Sequence, residues 1–311
     1  MIWNILTFAI FFLASLQCYA SSEDKAIVAD KSWPEIKEAI VNGHVAVGTG
    51  KYIYKYVLTN PNKNKVDFCV FSIDIRNNPS EHPFPLTDIS KGHDKYEHSL
   101  MIAQEKSITP LFINSPTEKF KNTILRPAWG AINPSPDYWI IPGESLGGFG
   151  LFAKEPPGIR EFHVRGLTQE FYKYPEKFIH PTAKTHAEFI EEVNKGINYY
   201  GKTIVPVKPP EPFTARLWTL KMESDMVEAR KLKWIKLDKN RQEITKLIAE
   251  LNTEDKAKLK ATVKKIEDYL LAEKAKGNLT DEADDLVRLN AQYLLRRLDK
   301  LEVAVSTDTA Q

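Results

Sequence analysis

The chain of 311 residues holds only two cysteines, and the first, Cys18, lies at the end of an apolar N-terminal run. A disulfide framework is therefore excluded, because a chain cut after that run keeps Cys69 alone. No C-x-x-C pair exists to hold structural zinc, and the H-E-x-x-H pattern of metalloproteases is missing as well. Also missing is G-x-G-x-x-G, and with it the dinucleotide-binding fingerprint. The formal net charge is only +2, with acids and bases interspersed. Such a balance gives no electrostatic case for nucleic acid, which favours a concentrated basic face. No cofactor and no metal are expected.

Long apolar runs are scarce too. The longest, Ile5 to Leu16, is well short of the roughly 20 residues a membrane span needs. It has the length of a signal-peptide core. Cys18 and Ala20 stand at the −3 and −1 positions of a cut before Ser21. Residues 1–20 are accordingly read as a signal peptide of an exported protein, periplasmic or extracellular. A lipoprotein cut before Cys18 and an uncleaved anchor are the alternatives. The bulky Gln17 speaks against the first.

"SWPEIKEAIVNG", Ser32 to Gly43, carries an S-x-x-E box, a proline in its first turn and a closing glycine. It predicts a short helix within residues 21–43. Beyond it the apolar period becomes two. Tyr52, Tyr54, Tyr56 and Leu58 share one face, and Cys69, Phe71, Ile73 and Ile75 share another, with an Asn-Pro turn between. Further strands are expected at Ser99 to Ala103, Leu111 to Asn114, Tyr138 to Ile141, Gly147 to Ala153 and Arg160 to Arg165. Short strands with no helix between them point to an antiparallel β-sandwich, Ig-like or jelly-roll-like, over residues 44–166. Residues 167–212 read as an irregular segment, with a short helix around Phe189, Val193 and Ile197. It ends in a proline-rich linker, "VPVKPPEP".

Residues 213–301 have the period of helices. Ile244, Leu247, Ile248 and Leu251 follow one stripe, and Leu259, Val263, Ile266 and Leu270 another. Thr280 caps a last helix whose "DEADD" complements the macrodipole. The expected class is therefore α+β in two domains, a β-sandwich followed by a small antiparallel helical bundle, with residues 302–311 as a disordered tail. From Phe213 onward bases only slightly outnumber acids, so bulk attraction to DNA or anionic lipid is not expected.

"GESLG", Gly143 to Gly147, matches the G-x-S-x-G of a hydrolase nucleophile elbow. An elbow needs a helix directly after the serine. "GGFGLFAKEPPG" leaves no room for one, and no histidine follows His186 to complete a triad in that order. Ser145 is thus read as structural, with no catalytic residue assigned. Gly143 is assigned to a turn, and Gly147, Gly148, Gly150 and Gly158 to a bulge or close backbone packing. His93, His98, His180 and His186 are read as solvated loop residues. Trp129, Tyr138 and Trp139 are the candidate ligand-stacking aromatics, set against a reading in which they belong to the core.

Two segments carry a resemblance. "IPGESLGGFGLFAKEPPGIREFHVRG" resembles the G-x-S-x-x-G-F…PPG-x-x-x-F-x-x-x-G signature of uncharacterised exported bacterial β-sandwich proteins. "KGNLTDEADDLVRLNAQYLLRRL" is similar to the last helix of the FIMAH-like helical module that follows such sandwiches. The resemblance implies a fold and an exported location, and no activity. The expected role is non-catalytic binding or structure in the bacterial envelope, with a protein or polysaccharide partner. A secreted hydrolase or carbohydrate-active protein using the sandwich is the alternative.

Overall fold

The computed structural model describes residues 34–74, 82–83, 111–112, 127–130, 139–167 and 185–308. Its strands are β1 (Ile40–Gly48), β2 (Lys51–Thr59), β3 (Asp67–Ile73), β4 (His82–Pro83), β5 (Leu111–Phe112), β6 (Pro127–Gly130), β7 (Ser145–Ala153), β8 (Pro157–Leu167) and β9 (Asn198–Pro206). Its helices are α1 (His186–Ile197), α2 (Ala215–Lys231), α3 (Asp238–Glu250), α4 (Lys256–Ala275) and α5 (Asp281–Asp308). The class is mixed α+β.

Two antiparallel sheets each rest on three long strands. β1-β2-β7 is extended by β4, and β3-β8-β9 by β6 and then β5. The expected alternation of β2 places Tyr52, Tyr54, Tyr56 and Leu58 inside. Across the sheets Phe71 meets Tyr56 and Phe149 edge-on, with centroids 6.0 and 5.2 Å apart, and within its own sheet it meets Phe162 at 6.2 Å. Such tilted pairs add about 0.5–1.5 kcal/mol each beyond the area they bury.

Four expectations need correction. No helix occupies the described part of Ser32 to Gly43. Residues 34–39 are coil and Ile40 opens β1. There Val41, Gly43 and Val45 alternate inward, and Ile36 N–H donates to Gly196 O at 2.8 Å. A sheet partner outweighs a local capping signature. The stretch read as irregular linker contains the nine-residue strand β9, paired with β8 from Asn198 to Pro206. The described part of Tyr138 to Ile141, from Trp139 on, yields only an isolated bridge, Ile140 to Phe68. α5 runs on to Asp308 through most of the expected tail. Ile75 and the strand expected at Ser99 to Ala103 lie outside the described residues.

α3 and α4 bury the expected stripes, and α1 opens on a Thr185–Glu188 capping box. The loops after α2 and α4 pair as an antiparallel bridge between Ile235 and Leu279. Lys236 N–H donates to Asn278 O and Thr280 N–H to Trp234 O, each at 3.0 Å. Helix ends match across the bridge: Trp234 N–H closes onto Ala229 O, and Asn278 N–H onto Glu273 O. Lys233 and Gly277 take the same left-handed conformation, with φ of 63° and 71°. A non-glycine residue is disfavoured there. Lys233→Gly should therefore raise stability by about 0.5–1 kcal/mol in denaturant titration.

Glu273 ties these loops together, accepting from Lys276 at 2.6 Å, Asn278 at 2.7 Å and the Asn240 amide. These bonds, that of Lys276 foremost, hold its carboxyl down at about 2. Its contribution is fully present above the ordinary value of 4.5 and is lost as pH falls toward about 2. Glu273→Gln should flatten the acid limb of the stability profile between those values, as read by helical circular dichroism.

Candidate functional site

One buried apolar cluster runs from the sheets into the helices, from Tyr52 and Val45 through Trp218 to Leu286 and Leu289. The seam between them is polar at its edge. β1 ends its sheet, so alternate N–H groups point away from β2. The first turns of α5 meet them. Glu282 Oε1 accepts from Gly43 N–H at 3.1 Å, and Asp285 Oδ2 from Val45 N–H at 2.8 Å. Two residues on a strand edge thus face two acids three apart on a helix, a match of periods.

Asp285 is the most enclosed of these acids, its side chain 2% exposed. His44 Nδ1 lies 2.7 Å from its Oδ2, and Arg288 Nη2 donates to its Oδ1 at 2.6 Å. Burial pushes its carboxyl above the usual range, opposed by the Val45 N–H, His44 and Arg288. Beside it, Lys274 pairs with Asp281 at 2.6 Å and Asp284 at 3.3 Å. Farther along α5, Asn290 Nδ2 donates to Pro157 O at 2.8 Å, and Trp218 Nε1 to Asn290 O at 3.1 Å. Arg296 donates to the Tyr52 hydroxyl at 2.5 Å. Burial pushes that phenol up to about 12, with Arg296 opposing.

A groove of about 780 Å³ opens beside this seam. Asn42, His44, Lys55, Lys274, Thr280 and Asp281 supply its polar lining, and the Gly147-Gly148 bulge contributes strand without side chains. Among the described residues no serine or cysteine lines it. Glu282, which also borders it, already accepts from Gly43 N–H. The groove offers hydrogen-bond donors and acceptors set in a largely apolar wall.

Ser145 opens the nine-residue strand β7, opposite Thr59, and its hydroxyl lies 2.7 Å from the Thr59 hydroxyl. A strand continues where an elbow requires a helix. Trp139 is 2% exposed, so it presents no open ring face. The Trp129 backbone pairs with Phe71 in β6, and Tyr138 lies outside the described residues. Gly143 sits in the turn before β7 with φ of 93°. Gly147 and Gly148 form a bulge between the Tyr56–Phe149 and Leu58–Leu146 pairs. Gly150 pairs with Lys55 and Gly158 with Val205. His93, His98 and His180 lie outside the described residues, and His186 begins α1.

Glu282, Asp285 and His44 were not singled out by sequence reasoning. "DEADD" looked like a dipole complement, and nothing local shows that two of its acids cap a strand some 240 residues away. Among the described residues no group of three or more His, Cys, Asp or Glu is placed to hold a metal ion. No described helix is long and apolar enough to cross a membrane. Compared with protein families, characterised proteins and solved structures, the chain matches none.

Proposed function

We propose that this chain is an exported, non-catalytic binding protein of the bacterial envelope. In this reading a β-sandwich is closed along the edge of β1 by a helical bundle, and the groove at that seam receives the partner, a protein or a polysaccharide. The observation that carries it is the groove itself: it is roomy, and its largely apolar walls carry hydrogen-bonding side chains of both kinds, Asn42, His44, Lys55 and Thr280 among them. The signal-like segment ending at Ala20 supports export. The carbohydrate-stacking alternative is weakened by the burial of Trp139 and of Tyr52, Tyr54 and Tyr56.

A photo-crosslinking residue at Asn42 should form a discrete adduct in an envelope fraction, and one at the distant, exposed Lys260 should not. A fluorophosphonate probe should leave the purified protein unlabelled. Labelling that disappears in Ser145→Ala would overturn the non-catalytic reading.

A further inference from the structure

The two helical hairpins, α2–α3 and α4–α5, are structural repeats. Their loops share the Ile235–Leu279 bridge, the left-handed residue and the closing hydrogen bonds. Buried positions coincide as well: Trp218, Met222, Met226 and Ala229 of α2 correspond to Thr262, Ile266, Leu270 and Glu273 of α4. The repeats differ where their loops enter the second helix. In the α4–α5 hairpin that point is acidic, and it faces inward to cap β1 through Glu282 and Asp285. In the α2–α3 hairpin the same point reads "KWIKLDK" and faces solvent.

There Lys233, Lys236 and Lys239 are exposed, at positions that correspond to Gly277, Thr280 and Ala283. Asp238, the acid among them, is taken by Arg230 at 3.0 Å and Arg241 at 3.8 Å. No ion pair engages the three lysines among the described residues. Leu237, between them, is 39% exposed. The near balance of charge along the helical sequence thus conceals a local excess of cations at one loop.

The geometry points to this loop as a docking surface for an anionic lipid bilayer. Three unpaired ammonium groups around one exposed leucine suit a charged headgroup layer over an apolar interior. Stacking on nucleic-acid bases needs open aromatic rings, and the one ring here, Trp234, is buried.

Near an anionic surface each lysine is worth about fivefold in partition coefficient. The test is co-sedimentation of the full chain with vesicles of phosphatidylcholine alone or mixed 3:1 with phosphatidylglycerol, at low salt. Stronger binding to the mixed vesicles is expected. Lys233→Glu/Lys236→Glu/Lys239→Glu should remove that difference, a loss on the order of a hundredfold. The charge-matched variant Lys246→Glu/Lys258→Glu/Lys260→Glu, on exposed positions elsewhere, should keep it. Circular dichroism of both variants should match the parent. Equal binding to both vesicle types, equal loss in both variants, or preference for an RNA or an acidic protein over the vesicles overturns the assignment.

Discussion

Asp285→Ala is expected to lower stability by about 1–3 kcal/mol, because it strips a buried backbone donor of its acceptor. The substitution leaves Val45 N–H without its acceptor in a buried place, while Arg288 keeps Asp284 at 3.5 Å and His44 remains open to water. Loss should appear in sheet and helices together, because one core joins them. Amide exchange at Val45 should accelerate in step with exchange in α5. A variant within about 1 kcal/mol of the parent, or one in which only the helices melt earlier, would show that the seam does not couple them.

The pH dependence has a definite sign. Burial raises the Asp285 carboxyl above its ordinary 3.8, so the fold prefers the protonated form. Its contribution is fully present below the ordinary value and declines as pH rises through the raised one. The difference between parent and Asp285→Ala should therefore widen as the solution is acidified toward 3.8.

Gly148→Val should cost about 2–3 kcal/mol, from backbone strain with a β-branched side chain in a forbidden region. Gly148 has φ of 90° and lies in the bulge where β7 places two residues against β2's one, between Phe149 and Leu146. Valine must either adopt that conformation or straighten the strand, which would shift the Leu58–Leu146 and Thr59–Ser145 pairs by one residue. Gly148→Ala should cost less, about 1 kcal/mol. Equal melting temperatures for parent and valine variant would remove the bulge from the account.

How much of this was legible depends on the reach of each interaction. Tyr52, Tyr54, Tyr56 and Leu58 declared their face by alternation alone, and α3 and α4 followed from stripes three and four residues apart. The bulge was signalled by clustered glycines, since few other residues tolerate positive φ. All of these are settled within about ten residues of chain. β9 was not, because "NYYGKTIVP" ends on prolines and carries a weak pattern, and it is a strand because β8 supplies its hydrogen bonds. Ser32 to Gly43 held a good helix start, yet Ile40 onward pairs with β2. The candidate site was the least visible. Asp285 and Val45 are 240 positions apart, and an acid in a helix's first turn looks the same whether it faces water or a strand edge. Composition and periodicity determined the elements and the α+β class. Only the tertiary structure decided which acids seal β1 and which lysines stay free, because burial and pairing exist only once distant segments meet.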